Sequence, residues 1–300
     1  MRVIGLDIGT TSISAVVAEN GRVIRSVTEQ SCAAIKPEFA ENRLQSVETI
    51  TEKVFSIKER LAKEFAPIDA IGVTGQMHGI LYIDKEGIAV SPLYTWQDKS
   101  GELKYNDTTF SEYLADITGF NAPSGYGLVT DFVNRKLGRV PENAVGLCNI
   151  QDYITMKLTG GKMPVTHISN AAGLGFYSFE TFDFDSSALE KIGCDSKMLP
   201  RVTAEPEVIG TDSDGIPVTV AVGDNQASFL GSVTNKESVL VNIGTGSQVS
   251  VLTDKKSGFA AGEIRPFSKP KICLWAHPFA AAGHTRCLKA FLKKRLIASA

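Results

Sequence analysis

A strand that runs into a glycine turn occurs twice in this chain, and it constrains the fold more than any other feature. Residues 4–12 (IGLDIGTTS) resemble residues 239–247 (VLVNIGTGS), with Ile-Gly-Thr repeated at an offset of 235 positions. Two copies of one strand–turn–strand unit indicate two similar domains. We place the boundary within 232–237, a stretch typical of a linker, so the first predicted domain covers 1–234.

The order of the other elements indicates an α/β fold. Residues 2–8 and 12–18 are apolar and β-branched, and Asn20-Gly21 predicts a tight turn into a third strand at 23–27. Six apolar residues spaced by three or four then predict an amphipathic helix: Leu44, Val47, Ile50, Val54, Ile57 and Leu61. Further strands are predicted at 70–74, 217–222 and 238–241, whereas the mixed patterns of 100–200 assign no order.

Composition excludes several classes of protein. Of the 300 residues, 43% are hydrophobic, which is enough for a sizeable core. The sequence has no run of 18 apolar residues, so it predicts no membrane-spanning helix. Asp7 comes too early for a secretory signal, and five Cys without CxxC spacing fit a reducing compartment, so we expect a cytoplasmic protein. A net charge of −2 argues against nucleic-acid binding. We expect small-molecule partners and no membrane, and the oligomeric state, a homodimer included, is left open.

The end of the chain differs in charge from the rest. Residues 268–300 contain seven basic residues and no acidic one. We therefore separate 235–267, expected to begin a second domain, from 268–300, an atypical basic tail. A basic amphipathic helix on a surface or partner is one interpretation of this tail; its apolar residues would be Leu288, Phe291, Leu292 and Leu296.

The first glycine turn has the residue types of a phosphate site. Glycine lets the backbone approach a ligand, and the N–H groups and hydroxyls of Thr10, Thr11 and Ser12 can cradle a phosphate. Asp7 can hold Mg²⁺ directly or through water. The alternative is a plain hairpin turn with local Asp and Thr hydrogen bonds. The second copy of the turn, at 242–247, favours the phosphate interpretation.

An acidic residue directly follows the predicted strand at 217–222. Asp224, in the segment 223–227 (GDNQA), stands at a favoured catalytic position of α/β sheets. Its carboxylate can accept the proton of a substrate hydroxyl during phosphoryl transfer. Asp224 is equally suited to cap a helix, and the two roles are compatible.

Two loops carry groups suited to a sugar. The first follows the strand at 70–74 and places three side chains between two glycines: Gln76, Met77 and His78. The second, 94–98 (YTWQD), offers the ring of Trp96 for the C–H faces of a sugar and the carboxylate of Asp98 for its hydroxyls. A structural histidine, and a half-buried Trp beside a surface Asp, are the alternatives.

Four motifs in this order resemble those of the FGGY carbohydrate kinases, within the actin, hexokinase and heat-shock chaperone ATPase superfamily. Along the chain, the four are the first phosphate motif 5–11 (GLDIGTT), the pair of sugar loops 75–79 (GQMHG) and 95–98 (TWQD), the aspartate motif 223–227 (GDNQA) and the second phosphate motif 242–246 (NIGTG). With Asp152-Tyr153 and Asn170-Ala171-Ala172, the sugar loops look most like those of the sedoheptulokinases. The resemblance spans 2–267.

The resemblance implies an actin/hexokinase-like (ribonuclease H-like) α/β ATPase fold, with one complete N-terminal domain and the start of a second. It also implies ATP and Mg²⁺ as cofactors and transfer of phosphate to a primary hydroxyl of a ketose. In that scheme Asp224 is the general base and Asp7 organises the metal. The sugar would meet Gln76, Met77, His78, Trp96, Asp98, Asp224 and Asn225, and the phosphates Thr10, Thr11, Ser12, Gly244, Thr245 and Gly246.

The identity of the sugar stays open at this point. Many family members carry Lys-Leu-x-Trp after the aromatic-rich loop, and residues 125–130 (GYGLVT) lack it. A xylulokinase- or gluconokinase-like activity and a sugar-binding remnant without turnover are the alternatives. The sugar loops argue against a chaperone-type ATPase.

A shift of reading frame between Phe267 and Leu274 is a second interpretation of the basic tail. Residues 274–293, back-translated with permitted codons and read from the third base, resemble the family's adenosine-side glycine-pair helix. In that case 268–300 is out-of-frame sequence. Because this sequence contains only the start of the second domain, we expect the chain as written to be a poor or inactive kinase that still folds its first domain and binds sugar weakly.

Overall fold

A computed structural model describes residues 1–233, 235, 238–243, 247–254, 263–268 and 271–276. The chain divides into two compact units, Met1–Asp224 and Asn225–Ala300. The boundary predicted at 234 stays a prediction. The interpretations of the basic tail as a helix or as out-of-frame sequence concern residues that lie largely outside the described ranges.

The elements of the first unit are mostly short. Its strands are β1 (Arg2–Ile8), β2 (Ser12–Glu19), β3 (Arg22–Gln30), β4 (Ala34–Ile35), β5 (Leu44–Gln45), β6 (Ala70–Gly75), β7 (Leu81–Ile83), β8 (Leu93–Tyr94), β9 (Lys104–Tyr105), β10 (Thr108–Thr109), β11 (Gly146–Cys148), β12 (Val165–His167), β13 (Tyr177–Ser178), β14 (Asp183–Phe184), β15 (Arg201–Thr203), β16 (Val208–Thr211), β17 (Pro217–Thr219) and β18 (Val222–Gly223). Its helices are α1 (Val47–Glu64), α2 (Phe110–Thr118), α3 (Gly127–Lys136), α4 (Ile150–Leu158), α5 (Ile168–Leu174) and α6 (Ser186–Ile192), with 3₁₀ turns at Ser100–Glu102 and Ser196–Met198.

Seven strands form the main sheet of this unit. The order is β16-β17-β6-β1-β2-β3, and β18 also pairs with β6. β1, β2 and β3 are antiparallel neighbours, whereas β6 runs parallel to β1 and to both β17 and β18. A parallel pair needs a long crossover, which α1 supplies between β1 and β6. The α/β order predicted from the sequence is confirmed.

The predicted hairpins at the start of the chain are confirmed. Asn20 and Gly21 connect β2 to β3, and both have positive φ angles of 50° and 79°. Such a pair matches the twist of the flanking strands, and Asn-Gly adopts it with little strain. The Asn20-Gly21 dipeptide therefore sets the register of this hairpin, in which Glu19 pairs with Arg22.

The predicted amphipathic helix is confirmed except at its start. α1 begins after Ser46, whose side chain caps it by accepting from the N–H of Thr49 at 3.1 Å. The predicted apolar face of the helix, from Val47 to Leu61, is buried in the core against the sheet. Leu44 was wrongly placed in the helix. It belongs to β5 and pairs with Ile35 and Tyr94, because the cap at Ser46 ends the extended segment.

The strand predicted at 217–222 is interrupted. β17 ends at Thr219 and β18 begins at Val222, with Val220 and Ala221 between them. The carbonyl of Ala221 accepts a hydrogen bond from the Asn170 side chain at 3.1 Å. A side chain thus satisfies a backbone group that a continuous strand would pair with its neighbour.

Residues 100–200, left without an order by the sequence, build a second apolar core. Helices α2, α3, α5 and α6 contribute to it together with short strands. Phe132 of α3 packs edge-on against both Phe110 and Tyr105. Short helices and two-residue strands carry too few periodic positions for a pattern to identify them.

The described residues of the second unit form α7 beyond its first residue, together with a four-stranded sheet. α7 spans Asp224–Ser232, and the strands are β19 (Val239–Ile243), β20 (Ser247–Thr253), β21 (Glu263–Ser268) and β22 (Lys271–Ala276) in the order β19-β20-β22-β21. Phe229 packs with Leu240, Leu252 and Phe267. The predicted strand at 238–241 is confirmed as β19.

The internal repeat holds at the level of the backbone. β1 ends at Ile8 and β2 begins at Ser12, while β19 ends at Ile243 and β20 begins at Ser247. The facing strand ends of both antiparallel pairs therefore lie at positions related by the same offset. Within the described ranges, no helix combines the length and the apolar character that a membrane span requires.

A buried lysine joins α1 to the loop between β16 and β17. Lys58 is 2% exposed, and its ammonium contacts the buried carboxylate of Asp212 and, at 2.9 Å, the largely exposed carboxylate of Asp214. Burial alone would lower the pKa of Lys58, but its hydrogen bonds to the two aspartates outweigh this and raise it. Asp212 also accepts from the backbone N–H groups of Asp214 and Ile216, which shapes the loop.

We predict that Lys58→Met destabilises the first unit strongly, because it leaves the carboxylate of Asp212 buried without its cation. The expected loss is about 3–5 kcal/mol in the free energy of unfolding, measured by urea denaturation. Asp214→Asn is the control, since an exposed partner contributes below about 1 kcal/mol. Equal losses in the two variants would contradict this account.

Candidate active site

Three of the sequence motifs begin at one row of the main sheet. Ile8 of β1 pairs with Gly75 of β6, and Gly75 pairs with Gly223 of β18. The three strands run in the same direction. The glycine turn, the loop 75–79 and Asp224 therefore leave the sheet at the same edge, at the carboxyl ends of its parallel strands.

Two of the glycines at this edge allow close backbone contacts. A Cβ atom on Gly75 would lie 2.9 Å from the carbonyl oxygen of Ile8, which accepts the N–H of Gln76 at 2.9 Å. A Cβ atom on Gly9 would lie 2.9 Å from the carbonyl oxygen of Ser12, to which the N–H of Gly9 donates at 3.0 Å. Any larger residue would push these backbone segments apart.

The backbone just before Asp224 is held by side chains. The carbonyl of Val222 accepts from Thr74 Oγ1 at 2.8 Å, and the carbonyl of Ala221 accepts from Asn170 Nδ2 at 3.1 Å. The N–H of Gly223 donates to Ser169 Oγ at 2.9 Å. Asp224 is half-buried and is the first residue of α7. The N-terminus of a helix favours negative charge, so this position suits an acidic side chain.

A buried polar cluster lies behind this segment. Asn170 Nδ2 donates also to Asp152 Oδ1 at 3.1 Å, and Gln151 Nε2 donates to Asn170 Oδ1 at 3.0 Å. Burial raises the pKa of Asp152 to about 8, although its hydrogen bonds oppose the shift. Asp152 is therefore largely protonated at neutral pH.

His167 completes the cluster as a neutral ring. Burial lowers the pKa of His167 to about 4. Its Nδ1 accepts from the N–H of Ser169 at 3.2 Å and lies 2.8 Å from Ser169 Oγ. Since Nδ1 is an acceptor, the ring proton is on Nε2, and Ser169 is oriented to receive the N–H of Gly223.

The polar residues of the first glycine turn differ from one another in exposure. The side chain of Asp7 on β1 is exposed to solvent, but the protein atoms around its carboxyl partly desolvate it and raise its pKa. Thr11 is exposed in the turn, and Ser12 is half-buried at the start of β2. Thr10 is half-buried, and its hydroxyl lies between Gln76 and Trp96 at 3.1 and 3.0 Å.

The loop after β6 is tightly anchored. Gln76 and Met77 are buried, and His78 has a left-handed backbone with φ of 76°. The Nδ1 of His78 lies 2.7 Å from the carbonyl of Gly173, so this nitrogen carries a proton and donates it to the carbonyl oxygen. The imidazole also stacks on the ring of Tyr126, with 4.4 Å between centroids.

The second predicted sugar loop separates its two side chains. Trp96 is 47% exposed, whereas Asp98 is 1% exposed. The carboxylate of Asp98 accepts from Asn42 Nδ2 at 2.8 Å and from the N–H and hydroxyl of Ser100. These bonds hold the loop together. A direct contact of Asp98 with a sugar stays a prediction.

The remaining predicted residues are placed as follows. Asn225 is the second residue of α7 and belongs to the second unit. Gly244, Thr245 and Gly246 lie outside the described residues, so their predicted phosphate role has no structural description. Among the described residues, no group of three or more His, Cys, Asp and Glu side chains is arranged to hold a metal ion.

Sequence reasoning missed several residues of this site. Tyr126 was noted only as part of a segment without a family motif, although it stacks on His78. Gln45 in β5 and Ser169 in α5 carried no signal, because a single polar residue in a short element is common at surfaces. Asn170 and Asp152 were identified only through the family resemblance.

The geometry can be compared with known proteins at this point. The sequence profile of the N-terminal domain of the FGGY family of carbohydrate kinases matches residues 2–231. This match covers well over half of the chain. The protein belongs to the FGGY family of carbohydrate kinases.

Relatives of this chain are named as kinases of different substrates. The chain is 26% identical over 271 residues to glycerol kinase from Aquifex aeolicus, with 85% of this chain and 54% of the relative covered. It is 27% identical over 289 residues to sedoheptulokinase from Mus musculus, with 82% and 58% covered. The chain thus spans about half the length of these curated relatives.

Solved structures of kinases share the fold. A ligand-bound xylulose kinase from Lactobacillus acidophilus superposes with a TM-score of 0.78 at 21% identity, covering 91% of this chain and 59% of its own. Plasmodium falciparum glycerol kinase with ADP gives 0.74 at 18%, covering 98% and 64%. The actin/hexokinase-like fold implied by the motifs is confirmed.

The buried cluster behind Asp224 makes stability depend on pH. Asp152 has a folded pKa above the ordinary 3.8, so its contribution is complete at low pH and is lost as the pH rises toward 8. His167 has a folded pKa below the ordinary 6.5, so its contribution is complete above pH 6.5 and is lost as the pH falls toward 4. Between pH 6.5 and 8, the pH dependence of stability from this pair therefore comes from Asp152.

We predict that the free energy of unfolding falls through this window by up to about 1.4 kcal/mol per pH unit. Asp152→Asn resembles the protonated carboxyl and should remove this fall while keeping an acceptor for Asn170. Urea unfolding at several pH values between 6.5 and 8 measures both proteins. Parallel slopes for the two would contradict the assignment.

Proposed function

We propose that this FGGY-family protein transfers the γ-phosphate of ATP to a primary hydroxyl of a ketose, sedoheptulose or a similar sugar. The observation that carries the proposal is the shared row of Ile8, Gly75 and Gly223. It supports one site at which a phosphate turn, a sugar loop and a candidate base start from neighbouring strands. The family match supports the reaction class.

Asp224 is proposed as the general base. Phosphoryl transfer to an alcohol needs a carboxylate that accepts the hydroxyl proton while the oxygen attacks. The side chains that hold residues 221–223 support this role, since they limit the movement of Asp224 toward or away from the reacting oxygen.

The sugar is proposed to meet the two anchored loops. The exposed ring of Trp96 is suited to stack on the C–H face of a sugar, and the loop of Gln76, Met77 and His78 supplies polar atoms. Asp98 and Asn225 are assigned to the same subsite by the family resemblance. The buried carboxylate of Asp98 supports this loop through its own hydrogen bonds.

The glycine turn is proposed to face the phosphates. Thr11 and Ser12, with the second turn at Gly244–Gly246, are the proposed contacts from this family motif, and Thr10 was predicted with them. Asp7 fits a magnesium site, because an exposed carboxylate at a strand end can join a cation that keeps several waters. When bound, Mg²⁺ neutralises charge on the phosphate oxygens.

We predict that Asp224→Asn abolishes ketose-dependent ADP formation, by at least about 100-fold, and leaves the Kd for the sugar within a few fold. Coupled ADP release and calorimetric binding measure the two quantities. Asp116→Asn, at an exposed position of α2, removes one charge elsewhere and should change neither.

The substrate is tested with the same assays on a panel of a seven-carbon ketose, five-carbon ketoses, gluconate and glycerol. Preference for the seven-carbon ketose supports the proposal. Preference for another member of the panel would refute sedoheptulose as the substrate and assign that compound instead. Sugar binding without ADP release by the unchanged chain would refute catalysis and leave a sugar-binding remnant. Retained activity in Asp224→Asn would refute the assigned base.

A further inference from the structure

The hydroxyl of Thr10 has partners that belong to the sugar side of the site. It donates to Gln76 Oε1 at 3.1 Å and accepts from the indole Nε1 of Trp96 at 3.0 Å. A threonine hydroxyl carries one proton, so its donor capacity is used by Gln76. A phosphate oxygen that took this proton would have to displace Gln76.

The backbone of Thr10 is held as well. Its carbonyl oxygen accepts from Gln45 Nε2 at 2.6 Å and from Ser31 Oγ at 3.0 Å. Gln45 Oε1 in turn accepts from Gln76 Nε2 at 2.7 Å. Thr10, Gln76 and Gln45 therefore form a closed ring of hydrogen bonds, with each glutamine donating through its amide nitrogen and accepting through its oxygen.

Burial makes this ring rigid. Gln45 is 3% and Gln76 is 4% exposed, so each would lose hydrogen bonds that water cannot readily replace if the ring opened. The ring thus offers a fixed acceptor at Thr10 Oγ1. Trp96 is the residue that uses it from the surface.

Two contacts determine the position and orientation of Trp96. Its backbone is tightly packed, since a Cβ atom on Gly125 would lie 2.0 Å from its carbonyl oxygen. The indole has a single donor, and that donor is bound to Thr10. The half-exposed ring is therefore oriented by the hydroxyl of Thr10.

We propose that Thr10 is a positioning residue for the sugar, which it serves by holding the indole of Trp96 in place. The inference rests on the proposed function for the nature of the ligand. It reassigns the hydroxyl of Thr10 from the phosphates to the sugar side and leaves phosphate recognition to the other groups of the turn. Sugar affinity then depends on a residue of the glycine turn.

The hydrogen bond is tested first, without any ligand. The chain has two tryptophans, so its ¹H–¹⁵N spectrum contains two indole signals, and Trp96→Phe identifies the one of Trp96. Thr10→Val should speed solvent exchange of this proton several-fold and shift it upfield, whereas Thr10→Ser should keep it unchanged. Unchanged exchange in Thr10→Val would overturn the proposal.

Sugar affinity is tested second, by calorimetry with sedoheptulose. Thr10→Val should raise the Kd about tenfold, and Thr10→Ser should restore it. Thr28→Val is the matched control: this exposed threonine also bonds a side-chain hydroxyl, that of Ser14 at 3.0 Å, and its replacement should leave the Kd unchanged.

A double-mutant cycle separates positioning from general damage. If Thr10 acts through Trp96, Thr10→Val should add no further loss of affinity in a Trp96→Phe background. Additive losses would overturn the proposal. If the unchanged chain does not bind the ketose, the proposed sugar fails, and the exchange rate of the indole proton still decides whether Thr10 holds Trp96.

Discussion

The parallel pairing of β6 with β1 and β18 is the constraint on which the rest of the site depends. It aligns Ile8, Gly75 and Gly223 in one row, so three segments distant in sequence start together at one edge. Gly75 makes this row possible, because its missing Cβ lets the two backbones meet at Ile8. Parallel strands direct their carboxyl ends to one side of a sheet, and that side is where an α/β fold can gather polar groups without opening its core.

Buried polar side chains then hold what the strands present. A polar group in the interior costs stability unless it is hydrogen-bonded, and here such groups bind the backbone around the site. Asn170 and Ser169 hold the segment before Asp224, and Gln45 holds Thr10. Lys58 has a comparable role away from the site, where it joins α1 to a loop of the sheet. These contacts satisfy the buried polar groups and hold the backbone in a defined geometry at the same time.

Local patterns predicted the regular elements well. Asn20-Gly21 identified a hairpin, and apolar spacing identified α1, since turn strain and amphipathic burial are both readable over a few residues. The placement of Leu44 failed because a cap at Ser46 outweighed a continuing apolar period. The break after Thr219 was not predictable, because it depends on Asn170, a side chain about fifty positions away in the chain.

Short stretches of sequence were enough to predict the class of fold, the repeated glycine turn and the family, because each motif consists of residues adjacent in the chain. The environment of each polar side chain, in contrast, was set by the folded structure. It buried Asp98 beside Asn42 and left Trp96 exposed, and it joined Thr10 to Gln76 and Gln45. Burial and hydrogen bonding set the pKa and the role of a side chain, and both arise only when distant segments pack together.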